Sequence, residues 1–223
     1  MRFIAGQIKV SHFDEKAKSW DEEPRRVAMG AAIARVVQSK FHEGQRPRLM
    51  DYGCGTGLCC LPLAGHCAAV LGVDSSTGML AQLQAKAHAA GLTHVTTRRH
   101  DLTAEPLSDL EFDVILCAMT LHHVRDIGLL LQRFHSLLLP GGLLALADLD
   151  AEDGTFHQDT PGVEHHGFHQ EWIREQLQVA GFPRVEFETV YEIDKPDANG
   201  KPRRYPVFLA TARKAGAEHS PVT

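Results

Sequence analysis

The residues Arg48-Leu49-Met50-Asp51-Tyr52-Gly53-Cys54-Gly55-Thr56-Gly57 run a short apolar strand directly into three alternate glycines. At Gly53, Gly55 and Gly57 the missing Cβ lets the backbone turn sharply and approach a ligand closely. Residues 58–64 read as helix, so the glycines join a strand to a helix, the setting in which such a loop binds a cofactor. A Gly-x-Gly-x-x-Gly dinucleotide frame fails on these letters. Started at Gly53 it meets Leu58, and started at Gly55 it meets Cys60. A pyrophosphate is therefore a poor ligand for this loop.

Outward from that loop the chain alternates strand and helix. Upstream, Ser11 caps a short helix through Phe13, Ala17 and Trp20, and Pro24 opens a second carrying Val27, Ala31, Ala34 and Val37 at helical spacing. Downstream, residues 67–73 form a continuous apolar run suited to a parallel strand covered on both faces. Ser75 or Ser76 caps a helix whose inner face is Met79, Leu80, Leu83 and Ala87, closing at Gly91. Residues 95–100 and 112–117 are the third and fourth strands. The stripe Ile127, Leu130, Leu131, Phe134, Leu137 and Leu138 is a helix stopped by Pro140-Gly141-Gly142, and residues 143–149 are the fifth strand.

Residues 150–169 form a His- and Asp-rich loop, long enough to predict a substrate-side function. A helix over 170–180 follows. Val185, Phe187, Thr189 and Tyr191 alternate as a half-exposed strand, and Asn199-Gly200 turns the chain into a last strand over 205–212. With no helix between them, these two strands should be antiparallel neighbours. The pattern predicts a single α/β domain over residues 1–213 with a doubly wound sheet, and a disordered tail over 214–223.

Composition narrows the function. A net charge of -5 over 223 residues offers no basic face for nucleic acid, and no apolar run reaches the ~20 residues of a membrane span. The start of the chain lacks an export pattern, so a cytoplasmic location is expected. The five cysteines are odd in number and form no Cys-x-x-Cys pair; they read as buried thiols.

Two acids complete the pattern. Asp74 ends the second strand, where a carboxylate accepts from both hydroxyls of a ribose. Asp101, in His100-Asp101-Leu102, ends the third, where it can accept from an adenine amino group while the Leu102 N–H donates to the ring. With the glycine loop, Val73-Asp74, His100-Asp101-Leu102, Phe112-Asp113-Val114-Ile115 and Leu138-Leu139-Pro140-Gly141-Gly142, the chain resembles the class I S-adenosylmethionine-dependent methyltransferases. The resemblance implies a Rossmann-like doubly wound sheet of seven strands, order 3-2-1-4-5-7-6, with strand seven antiparallel. It implies N-terminal helices over 1–45 that close on S-adenosylmethionine, with Phe13-Asp14 through Trp20-Asp21 like the leading helix of small-molecule members. The cofactor-facing set it implies is Trp20, Asp51, Gly53, Cys54, Gly55, Gly57, Asp74, Ser75, Met79, Asp101, Leu102 and Cys117.

For the acceptor the residues say less. Strand four ends Cys117-Ala118-Met119-Thr120-Leu121-His122-His123, without the Asp/Asn-Pro-Pro-aromatic motif of enzymes that methylate base amino groups. No acid stands there for a catechol-type magnesium site. His122, His123 and, from the loop, His166 are the candidate general bases. Asp148, Asp150, Asp153, His157, His165, His166 and His169 match no compact metal motif, so no metal is assigned. A small-molecule acceptor is expected; a non-catalytic binding subunit and a protein methyltransferase are the alternatives.

Overall fold

A computed structural model describes residues 12–156, 162–197 and 200–216. Strand β1 (Arg48–Tyr52) lies at the centre of the sheet because it is apolar on both faces: Met50 and Tyr52 pack to one side, Leu49 to the other. It is flanked by β2 (Ala69–Asp74) and β4 (Phe112–Ala118), with β3 (Val95–Arg99) beyond β2 and β5 (Leu138–Leu149) beyond β4, all parallel. Strands β6 (Val185–Pro196) and β7 (Pro202–Arg213) close the far edge as an antiparallel hairpin with β7 inside, giving the order β3-β2-β1-β4-β5-β7-β6. Among the described residues no helix is long and apolar enough to cross a membrane.

Helices α1 (Pro24–Ser39), α2 (Cys60–Ala64) and α3 (Thr77–Ala89) cover one face, where Ile33, Val37, Leu63 and Leu83 are buried. Helices α4 (Ile127–Leu137) and α5 (Gln170–Val179) cover the other, through Leu130, Leu131, Phe134, Ile173 and Leu177. Phe134 stands edge-on to Tyr52 of β1 at 5.4 Å between ring centroids, tying α4 to the strand that ends in the glycine loop.

The structure departs from the sequence reading at several boundaries. The leading helix is α-helical only over 12–16 and continues as a 3-10 turn, Ala17–Glu22; its expected cap, Ser11, lies outside the described residues. Pro140-Gly141-Gly142 is not a stop between helix and strand but part of β5. Leu138 already pairs with Phe112, and the backbones of Gly141 and Gly142 exchange hydrogen bonds with Lys214. Lys214 is thus no tail residue: its Nζ also donates to the carbonyls of His135 and Leu138, orphaned at the end of α4. The rest of the expected tail, 217–223, lies outside the described residues, as do Asn199 of the hairpin turn and His157. Helix α2 begins at Cys60 rather than Leu58, because the glycine loop's turns run on to Cys59. The terminal strands are longer than their apolar cores, since pairing carries on to Pro196 and Pro202.

Replacing Phe134, fully buried between sheet and α4, leaves a cavity that a helix pinned at both ends cannot fill. Phe134→Ala is expected to cost about 3–5 kcal/mol of stability, read from the midpoint of urea unfolding.

Candidate functional site

The carboxyl ends of β1, β2, β3 and β4 open into a cavity of about 1190 Å³, walled on its other side by residues 12–33, the loop after β5 and the end of β6. Parallel sheets of this kind bind ligands at this edge.

The glycine loop forms its floor. The N–H groups of Gly53 and Cys54 both donate to the Val73 carbonyl, at 2.8 and 3.1 Å, which bends the chain off β1 and across the tip of β2. Gly53 takes φ +73°, and a Cβ there would collide with the Thr120 side chain, so only glycine fits. Gly55 is open on its Cβ side, with nothing nearer than the Met79 sulfur at 4.0 Å. That openness is the close approach a ligand needs.

Asp74 ties the loop to the next helix. Its Oδ2 accepts from Gly55 N–H and its Oδ1 from Ser76 N–H, both at 2.9 Å. Burial raises its pKa despite those donors. Ser76 caps α3 by accepting from Met79 N–H at 3.1 Å. Asp14 then accepts from Ser76 Oγ and Gly78 N–H at 2.6 and 2.7 Å, docking the leading segment onto α3, and these bonds lower its pKa. Asp21 adds a second attachment, accepting from Thr56 Oγ1 at 2.5 Å and from Lys86 Nζ at 2.6 Å. At the tip of β3, Asp101 Oδ1 accepts from Tyr52 OH, Thr103 N–H and Thr103 Oγ1; Oδ2 carries none of these bonds.

Asp51 is 1% exposed, and its Oδ2 has no hydrogen-bond partner among the described residues. Burial pushes its pKa up to about 7; the Cys60 thiol opposes that rise and the Asp74 charge adds to it. Asp51, Asp74 and Asp101, the first with an orphaned oxygen, line a single crevice, and among the described residues no cation is paired to them. A cationic ligand fits such a site.

At the other side of the floor, His122 is buried, and its Nδ1 lies 2.7 Å from Asp148 Oδ1. Asp148 also accepts from the backbone N–H groups of His122 and Leu149. Burial works to raise the Asp148 pKa, but His122 and those donors outweigh it and hold it below the usual range. An ionised carboxylate can only accept, so Nδ1 of His122 carries the hydrogen of that bond. His123 Nδ1 donates to the Gly162 carbonyl at 2.9 Å, and its ring meets Phe13 at 5.3 Å between centroids.

Of the residues anticipated from sequence, Trp20, Asp51, Gly53, Cys54, Gly55, Asp74, Ser75, Met79, Asp101, His122 and His123 line the cavity. Gly57, Leu102 and Cys117 do not. Gly57 faces Leu83, while Leu102 and Cys117 are fully buried in the core behind the tips. His166 is also outside the wall: it packs on Gly154 with its Nδ1 3.6 Å from Glu152. Asp148 was legible only as one of several acids near the loop. Asp14 and Asp21 lay in the segment expected to close on the cofactor, but nothing in the letters named their partners.

Residues 50–146 match a family described as a methyltransferase domain. The chain is 40% identical over 104 residues to a ubiquinone biosynthesis O-methyltransferase of Nitrobacter winogradskyi, covering 46% of the chain and 39% of that protein. To the enzyme of the same name from Azorhizobium caulinodans it is 36% identical over 174 residues, covering 70% of the chain and 68% of the relative. The chain belongs to the class I S-adenosylmethionine-dependent methyltransferases. S-adenosylmethionine, a cation at its sulfonium, is the cofactor, in keeping with the acidic crevice. Most of these relatives are matched over less than half of their own length. The fold is shared with phosphoethanolamine N-methyltransferase 2 of Haemonchus contortus, solved with S-adenosylmethionine, at a TM-score of 0.66, 18% identity, and coverage of 82% of this chain and 53% of that one.

Asp51 holds its proton more tightly folded than unfolded. Its contribution to stability is therefore full below pH 3.8 and is lost as pH rises through about 7. In the cofactor-free methyltransferase, Asp51→Asn should flatten the fall in stability between about pH 4 and about pH 7, read from urea midpoints. A parallel slope in both proteins would contradict the orphaned carboxylate.

Proposed function

We propose that this methyltransferase transfers a methyl group to a hydroxyl oxygen of a small molecule, with His122 as the base and Asp148 as the residue that orients it. The observation that carries the reading is the buried His122–Asp148 pair in the wall of the cavity, at the end of β4. The relatives named as O-methyltransferases support an oxygen acceptor.

Asp74 holds the ribose hydroxyls of the cofactor, Asp101 the adenine amino group and the loop from Gly53 to Gly55 the methionine part. A carboxylate accepts about four hydrogen bonds, so the backbone N–H groups of Gly55, Ser75 and Ser76 on Asp74 still leave it able to accept from a ribose hydroxyl. When bound, S-adenosylmethionine supplies an electrophilic methyl group on its sulfonium. Phe13, Trp20 and the tie of His123 to Gly162 wall off water from the acceptor side. His122 takes the hydroxyl proton at Nε2, and Asp148 stabilises the imidazolium that results.

Asp74→Ala should weaken S-adenosylhomocysteine binding by about 10- to 100-fold, the scale of charge-assisted hydrogen bonds worth about 1.5–3 kcal/mol. Calorimetry reads it, and unchanged affinity would remove the ribose assignment.

Once incubation of a metabolite extract with methyl-labelled cofactor has found the acceptor, His122→Ala should lower kcat by about 10²–10⁴ while cofactor affinity stays within about twofold. Asp148→Asn should lower kcat in the same direction by letting the ring adopt the other tautomer. Full turnover in His122→Ala would end the general-base reading.

A further inference from the structure

The two sides of the cavity have opposite charge. The tips of β1, β2 and β3 present Asp51, Asp74 and Asp101. Among the described residues the opposite wall presents Lys16, Arg25, Arg26, Arg125 and Lys195 against Glu23 and Glu164. In a chain of net charge -5, a cationic wall is not the background.

Pairing accounts for part of it. Arg25 is held by both oxygens of Glu23, and Arg125 by both oxygens of Glu164. Lys16 is exposed and solvated. Arg26 and Lys195 are left: both are half-buried, and neither has a carboxylate at ion-pair distance among the described residues. Arg26 lies 3.8 Å over the Trp20 ring and donates one hydrogen bond, to the Trp20 carbonyl. Lys195 sits 4.7 Å over the Phe156 ring and donates to the Phe156 carbonyl. A guanidinium has five N–H donors and an ammonium three, so most remain available. Burial lowers the pKa of both; Glu23 and Asp21 offset this in part for Arg26, and for Lys195 the Arg25 charge adds to it while Glu152 opposes it, so a net cost remains that an anion would relieve. Lys195 also stands on β6, at the far edge of the sheet from the cofactor-binding tips.

We propose that the methyl acceptor carries an anionic group, a carboxylate or a phosphate monoester, bound by Lys195 and Arg26. The proposal rests on the methyl-transfer reading above for the word acceptor, but the anion site itself does not need catalysis. The walls between, with Met29, Ile33, Phe156 and Ile193, suit an apolar or aromatic body for the same molecule.

The test is calorimetric titration of the full chain, saturated with S-adenosylhomocysteine, with benzoate, phenyl phosphate, benzamide and phenol. At least one anion should bind about tenfold or more tightly than its neutral partner, and Lys195→Met should remove most of that difference. Preference for benzoate assigns a carboxylate; preference for phenyl phosphate assigns a phosphate. Arg26→Met should weaken the anion and spare S-adenosylhomocysteine. Equal binding of charged and neutral probes, no binding of either anion, or an unchanged anion affinity in Lys195→Met overturns the proposal. A loss of S-adenosylhomocysteine affinity in Arg26→Met equal to its loss of anion affinity would give that arginine to the cofactor and overturn its part. The methyl-transfer reading fails separately, when labelled cofactor gives no methylated product in any extract, and that result leaves the anion titrations to stand or fall alone.

Discussion

The site depends on one carboxylate in the right place. Asp74 sits where β2 leaves the sheet, and its two oxygens hold the middle of the glycine loop and the first turn of α3 by backbone N–H donors. Those donors come from two different elements, so the bend after β1 and the direction of α3 are set by the same charge. The cost is visible. Burial raises the Asp74 pKa even with those donors in place, and it pushes that of Asp51 nearby up to about 7. Without its cofactor the crevice therefore stores unfavourable charge, which a cation relieves. Affinity for a sulfonium follows from the same desolvation that destabilises the free site.

The leading segment is attached differently. Asp14 reaches the cap of α3 and Asp21 reaches Thr56 and Lys86, so the wall above the cofactor loop is held by a few polar contacts and by Phe13 and Trp20. The Asp21–Lys86 pair is about a third exposed on both sides, and water screens such pairs to small net values. Only Ala17 of the 3-10 turn is buried. A segment fixed this way opens at a lower free energy than the sheet unfolds. The proposed function needs that difference, because cofactor must enter a site that then excludes water.

Strand and helix order was legible because the two periods, two and about 3.6, are written in apolar residues. Gly53, Gly55, Asp74 and Asp101 were legible because the loop and the strand tips come at fixed distances along the chain. Where the sequence misled, long-range pairing had overruled a local signal. Pro140-Gly141-Gly142 punctuates a helix locally, yet Lys214 draws it into β5. Gly57, Leu102 and Cys117 belong to the right motifs, but the Leu102 and Cys117 side chains and the Cβ side of Gly57 face the core. The His122–Asp148 contact joins the ends of two strands that are neighbours only in the folded sheet, and no spacing announces it. The same holds for Arg26 and Lys195, 169 residues apart and placed on the wall of one cavity by α1 packing against β6.

Charge also constrains where the rate can come from. As a methyl group leaves a sulfonium, positive charge on the sulfur is lost. Carboxylates that favour the bound cofactor thus stabilise the ground state at least as well as the transition state, and tight cofactor binding alone does not accelerate transfer. On the proposed function the acceleration is gained on the acceptor side, where charge develops as a hydroxyl becomes an oxygen nucleophile. There the fold places a buried imidazole whose far nitrogen is fixed by an ionised aspartate, and beyond it two cations without acidic partners among the described residues. A deprotonating oxygen and an anionic substituent are both favoured by that positive wall. The separation of the two charges across one cavity is what allows the same molecule to hold a cation firmly and still make its neighbour reactive.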